Sequence, residues 1–150
     1  MRIVVGTDHG GFPLKAAVID ELIKNGHEVI DIGTDSLESV DFPDYAKKAG
    51  EVINGGEADR GVLLCGSGIG VAIAANKVRG LLASVVHDTY SAHQGVEHDG
   101  LNVLCLGARI IGEAPAREIV ATFAAAEFQP EARYLRRVGK IRALEAEELG

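Results

Sequence analysis

The chain has 150 residues, 47% hydrophobic and 25% charged, the size and usage of one ordinary folded domain spanning 1–150. Fifteen Lys and Arg stand against 22 Asp and Glu, a formal charge of −7, which argues against a general nucleic-acid binder because phosphate backbones demand a basic face. There is no apolar run long enough for a membrane span, no signal-like start in MRIVVGTDHGG, and no CxxC pair, so the expectation is a cytoplasmic enzyme or binding domain without a disulfide or thiolate-zinc scaffold.

Nineteen glycines, nearly twice the usual share, punctuate the ends of apolar runs. The run Arg2–Gly6 is short and β-branched and predicts a buried strand. Thr7–Gly11 is a turn, and Phe12–Asn25 a helix with Pro13 in its first turn and a stripe of Leu14, Val18 and Leu22. Gly26 is placed to end it. Glu28–Ile32 predicts a second strand and Gly33–Phe42 a polar loop. Pro43 opens a helix through Ile53, stopped by Asn54-Gly55-Gly56. Gly61–Cys65 is a third strand, Gly66–Gly70 the turn after it, and Val71–Val78 a helix rich in Ala. Leu82–Val86 is a fourth strand, Thr89–Glu97 a short helix and Asn102–Leu106 a fifth strand. Two helices close the chain, Glu113–Ala126 and Ala132–Glu148. The narrow stripe Leu135, Val138, Ile141, Leu144 on the last one suggests that it lies partly on a partner subunit.

Strict β–α alternation predicts a doubly wound, five-stranded parallel sheet with helices on both faces, a Rossmann-like three-layer sandwich. Ligands collect outside the carboxyl ends of such strands. That rule selects TDHGG, GSGIG, HDTYSA and GARIIG.

The segment Cys65-Gly66-Ser67-Gly68-Ile69-Gly70 is the sharpest feature. A cysteine ends a strand, and a glycine-rich loop then opens a helix whose amides can form a nest for negative charge. A base or nucleophile would stand beside an oxyanion stabiliser. The plainer alternative is a small buried hydrophobe, the usual state of free cysteine and the one expected for Cys105. A dinucleotide fingerprint would need Gly or Ala at position 71, where the chain has Val71. Asp8 and His9 follow the first strand at the same edge; alone they would read as an Asx turn and a surface histidine. His98, beside Asp99 in a loop before the fifth strand, has the chemistry of a general acid. His27, His87 and His93 have no evident partner. His93 and His98 are five apart, the wrong spacing for two ligands on one helix face, so no metal is expected. Arg133 and Arg137 share a helix face and suit a phosphate, or else a solvated face paired with Glu. Arg109, at the carboxyl edge of the sheet, is the better single anion contact.

Taken in order, Gly6-Thr7-Asp8-His9-Gly10-Gly11, Asp44-Tyr45-Ala46, Cys65 to Gly70, Ile73-Ala74-Ala75-Asn76-Lys77, Tyr90-Ser91-Ala92, Asn102-Val103-Leu104 and Gly107-Ala108-Arg109 resemble the ribose-5-phosphate isomerase type B family, which includes the galactose-6-phosphate isomerase subunits. The resemblance implies metal- and cofactor-free aldose–ketose isomerisation of a phosphorylated sugar, by a homodimer or dimer of dimers with shared active sites. It implies Cys65 as the base, Ser67 as its support, and the amides of Gly66 to Gly70 as the enediolate cradle. Asp8, His9, Tyr45 and Asp99 would line the sugar, His98 would open its ring, and Arg109, Arg133 and Arg137 would bind the phosphate. One branch of the family has no cysteine at position 65 and uses Glu at the position of Val71; valine cannot serve in that way, which strengthens the implied assignment of Cys65. The family commonly has Asn where this chain has Asp99, and a carboxylate only accepts hydrogen bonds. Ribose 5-phosphate is the default substrate, with a tetrose or hexose phosphate as the variant, and a non-catalytic sugar-phosphate binding module as the reading from another class.

Overall fold

The computed structural model describes residues 1–150. Five parallel strands, β1 (Arg2–Thr7), β2 (Glu28–Asp31), β3 (Arg60–Cys65), β4 (Ala83–Val85) and β5 (Val103–Gly107), form one sheet in the order β2-β1-β3-β5-β4. The helices are α1 (Phe12–Lys24), α2 (Phe42–Asn54), α3 (Ile69–Ala75), α4 (Thr89–Asp99), α5 (Glu113–Ala125) and α6 (Ala132–Glu148). The expected doubly wound α/β sandwich is therefore the observed one.

The period-two alternation of the strands builds two cores. Ile3, Val5, Val62, Leu64, Leu104 and Leu106 face α1, α4 and α5, which contribute Leu14, Val18, Val96, Ile119 and Phe123. Val4, Leu63, Cys65, Val103 and Cys105 face α2 and α3, which bring Ala46, Ala49, Val71 and Ala75. Small residues on α2 and α3 let those helices sit close to the sheet. Parallel strands are buried on both faces, so they read as continuous apolar runs.

After β1 the chain turns one way to β2, and β3 returns to the other side of β1. The carboxyl ends of β1 and β3 thus flank a switch point, where the winding opens a crevice. Asp8 follows β1 and Cys65 ends β3.

Most boundaries fall within one or two residues of the expectation, and three departures have physical causes. Helix α3 stops at Ala75, before Val78, because the Asn76 side chain bonds the backbone of Ala83 on both sides, accepting from its N–H at 2.9 Å and donating to its carbonyl at 2.8 Å. Helix α4 runs two residues further, to Asp99, and ends at Gly100, whose φ of 72° suits a glycine. His98 and Asp99 accordingly stand on the last turn of a helix and not in a loop. Helix α2 begins at Phe42, one residue before Pro43.

Tyr134 is the one buried residue of α6. Leu135, Ile141 and Leu144 are 52%, 40% and 58% exposed, so three of the four stripe residues stand uncovered on the single chain, while Val138 is half-buried. No helix is long and apolar enough to cross a membrane. Phe123 is the largest side chain with no exposed surface. Phe123→Ala is expected to lower the free energy of unfolding by about 3–5 kcal/mol, as read from urea denaturation.

Candidate active site

A cleft of about 350 Å³ opens at the switch point, lined by Asp8, Phe42, Cys65, Gly66, Ser67, Gly70, Arg109 and Ile110. Of the residues picked from sequence, Asp8, Cys65, Gly66, Ser67, Gly70 and Arg109 meet here. Gly68 lies just beneath, its N–H donating to Cys65 Sγ at 3.1 Å.

Cys65 is 5% exposed, at the point where the end of β3 meets the loop. The loop bends back over the strand end because Gly68 takes φ +80°, the left-handed region that disfavours side chains. Its amide dipole consequently aims at the sulfur. Ser67 acts otherwise than expected within the chain, since its Oγ accepts from Ile69 N–H at 3.2 Å and the donor to the sulfur is Gly68. Two of the loop's amides are thus engaged locally. Those of Gly70 and Val71 have no partner inside the helix, as at any helix start. Cys105 is fully buried on the same face of the sheet, and burial, with Cys65 nearby, pushes its thiol far above the ordinary range.

Asp8 is 6% exposed and its Oδ1 accepts from Gly11 N–H at 3.0 Å, three residues on, which is the spacing of a capping bond and not of the expected Asx turn, closed two residues on. That bond holds the carboxylate at the cleft wall. His9 lies beyond that wall. Its Nδ1 accepts from Val40 N–H at 3.1 Å, which puts the proton of the neutral ring on Nε2. The segment carrying Val40 is pinned by Lys15, a buried ammonium that reaches Asp31 at 2.7 Å, Asp35 at 2.6 Å and the Thr34 carbonyl at 3.0 Å. All three of its protons have acceptors, which is what a buried charge requires.

Arg109 is held by the turn after β5. Ala108 and Arg109 donate their amides to the carbonyls of Cys65 and Gly66, at 2.9 and 3.0 Å. The guanidinium packs against Gly66, whose added Cβ would stand 3.3 Å from Nη1.

Sequence reasoning missed two residues. Phe42 lines the cleft and packs on Gly70, while Tyr45 one turn later lies outside it, with Lys48 Nζ 5.4 Å from its ring centre. The earlier start of α2 was the missing signal. His87 has a partner after all: Gly107 N–H donates to its Nε2 at 3.0 Å. That amide extends past the end of β4, where no strand remains to accept it.

A second group stands apart on α4 and α6. The ring of His98 stacks on Tyr134 with centres 4.2 Å apart and planes 14° apart. Arg133 Nη2 donates to Tyr134 Oη at 2.9 Å and pairs with Glu131 at 3.2 Å. Asp99 lines a separate hollow of about 410 Å³ with Gln94, Ser84 and Ile141. None of His9, Tyr45, His98, Asp99, Arg133 or Arg137 lines the Cys65 cleft of its own chain. No group of three or more His, Cys, Asp or Glu converges with metal-ligand spacing.

A thiol, a buried carboxylate, helix-start amides and an arginine, gathered at the switch point of a doubly wound sheet, define an α/β enzyme built for a small anionic ligand. The comparisons identify which. The family model described as Ribose/Galactose Isomerase matches residues 3–141. The chain is 42% identical over 144 residues to ribose-5-phosphate isomerase B of Escherichia coli, covering 96% of both chains. It is 38% identical to D-erythrulose-4-phosphate isomerase 2 of Mycolicibacterium smegmatis, covering 97% of each. The solved ribose-5-phosphate isomerase B of Clostridium thermocellum superposes with a TM-score of 0.94 at 48% identity, over 98% of this chain and 99% of that one. The chain belongs to the Ribose/Galactose Isomerase family and is a sugar-phosphate isomerase of the aldose–ketose type.

Burial holds the pKa of His87 below the ordinary histidine value of 6.5. A histidine kept neutral in the fold contributes stability that is fully present above the unfolded pKa and is lost as pH falls through the folded one. His87→Gln keeps an acceptor for Gly107 but removes the titration. Its stability is expected to fall less than that of the unmodified protein between pH 7 and pH 5, by urea unfolding at each pH.

Proposed function

We propose that this isomerase interconverts D-ribose 5-phosphate and D-ribulose 5-phosphate through an enediolate, with no metal or cofactor. The observation that carries the reading is the shared cleft of Cys65, Asp8 and Arg109, with the Gly68 amide directed at the sulfur. The Cys65 thiolate takes the C2 proton of the open-chain aldose, and the electron pair moves to the C1 carbonyl. Free loop amides hold the developing oxyanion without reorganising. The O2–H proton passes to O1, C2=O2 forms as the C1=C2 bond is spent, and return of the proton from the Cys65 thiol to C1 gives the ketose. Ser67 supports the loop, Asp8 meets the sugar hydroxyls inside the cleft, and His9, Tyr45 and Asp99, which lie outside the cleft of the single chain, are assigned to the sugar in the assembled site. His98 assists ring opening.

Arg109 binds the phosphate with Arg133 and Arg137. Those two arginines and His98 belong to the α4–α6 group, so the complete site is assigned to a homodimer, or a dimer of dimers, in which one chain's cleft meets the other's group. The uncovered Leu135, Ile141 and Leu144 on α6 support this, as do Ile69, Ile73 and Ile110 near the cleft, each 55–60% exposed.

A tetrose phosphate is the second reading, because a relative of nearly equal identity is named for erythrulose 4-phosphate. Proton NMR of ribose 5-phosphate and of erythrulose 4-phosphate with enzyme in D2O separates the two. The expected outcome is conversion of the pentose with solvent deuterium entering at the reacting carbon. Cys65→Ala is expected to lower kcat by about 10²–10⁴-fold with binding retained. Turnover that survives the substitution would remove Cys65 as the base, and faster turnover of the tetrose would reassign the substrate.

A further inference from the structure

We propose that Gln94, held in one orientation by Asp99, is a positioning residue that fixes His98 as the tautomer carrying its proton on Nε2. The consequence for substrates rests on the isomerase reading above; the tautomer itself does not.

Two contacts hold the His98 ring. Tyr134 stacks on it from α6 and sets its plane. Gln94, one helical turn earlier on α4, places its side-chain nitrogen 3.2 Å from His98 Nδ1. The same nitrogen lies 3.4 Å from Asp99 Oδ2. An amide nitrogen carries two donors and no acceptor, whereas a carboxylate only accepts. Turning the amide over would set its oxygen against the Asp99 carboxylate, two acceptors with no proton between them. The nitrogen therefore stays toward Asp99, and its second proton faces His98. Nδ1 must then present a lone pair, so the proton of the neutral ring resides on Nε2. The free edge of the ring is a fixed donor.

This edge matters for one kind of sugar. A pentose 5-phosphate closes a furanose ring through O4, and isomerisation between C1 and C2 requires that ring to open. The C1–O4 bond breaks, O1–H loses its proton to water as C1=O1 forms, and O4 gains a proton from water. A fixed Nε2–H donor stabilises the charge that builds on O4 as the bond breaks. A tetrose 4-phosphate has O4 esterified and cannot close that ring. Gln94 thus acts on cyclising substrates alone.

The test joins a spectrum to a substrate comparison. In 15N-labelled enzyme at neutral pH without ligand, two-bond proton–nitrogen correlation is expected to show His98 protonated on Nε2. Gln94→Glu replaces the donor by an acceptor and is expected to move the proton to Nδ1. Gln94→Leu is expected to lower kcat on ribose 5-phosphate about tenfold, the worth of one hydrogen bond, and to leave kcat on erythrose 4-phosphate within about twofold. A proton on Nδ1 in the unmodified enzyme overturns the proposal, whatever the activity. So does an equal loss on both sugars with a lowered Tm, which marks a structural role. An unmodified enzyme that turns over neither sugar sinks the isomerase reading, and the spectrum still decides the tautomer.

Discussion

The loop after β3 crosses the end of β5 so closely that a Cβ on Gly107 would stand 2.5 Å from the Ser67 carbonyl carbon, and one on Gly68 would stand 3.0 Å from that of Leu106. Two glycines on adjacent segments make this passage possible. From it follow the bend that points the Gly68 amide at Cys65 and the amide bonds from Ala108 and Arg109 to the loop's own carbonyls. Cys65, the amide dipole aimed at it and Arg109 are consequently one packed unit. His87 closes the unit from the far side by accepting the Gly107 amide.

The chain is acidic overall, yet its ligand is an anion. The structure reconciles these by local placement. Arg109 sits at the cleft, and several other charges pair among themselves elsewhere, as in the Lys15 pairs with Asp31 and Asp35 and the Arg117 pairs with Asp20, Glu21 and Glu113. Net charge governs solubility and long-range attraction, whereas a bound phosphate responds to the few donors within a few ångströms.

The α4–α6 group follows a different logic. One buried aromatic, Tyr134, anchors an otherwise exposed helix and at the same time supplies the stacking surface for His98. Packing and chemistry share a residue here. Gln94 and Asp99 add a polar frame on the neighbouring turn of α4, so the ring is held by apolar contact on its face and by hydrogen bonding at its edge.

The sequence determined the sheet, its winding and several of the residues that line the cleft. Apolar runs bounded by glycine mark strands directly, and the switch-point rule then selects Asp8, Cys65 and Arg109 from the chain. The local motif even fixes the bond from Gly11 N–H to Asp8, because its partners are three residues apart. What only the tertiary structure decided is which groups face one another. Phe42 enters the cleft in place of Tyr45 through a one-residue shift in a helix start. His87 meets Gly107, twenty residues away in the chain, because β4 ends short of β5. His98 leaves the loop for a helix because α4 continues to a glycine, and only there does Gln94 fall one turn beneath it. Periodicity records which side of an element is buried. It does not record the register at which two elements meet, and hydrogen bonds between distant residues depend on that register to within an ångström.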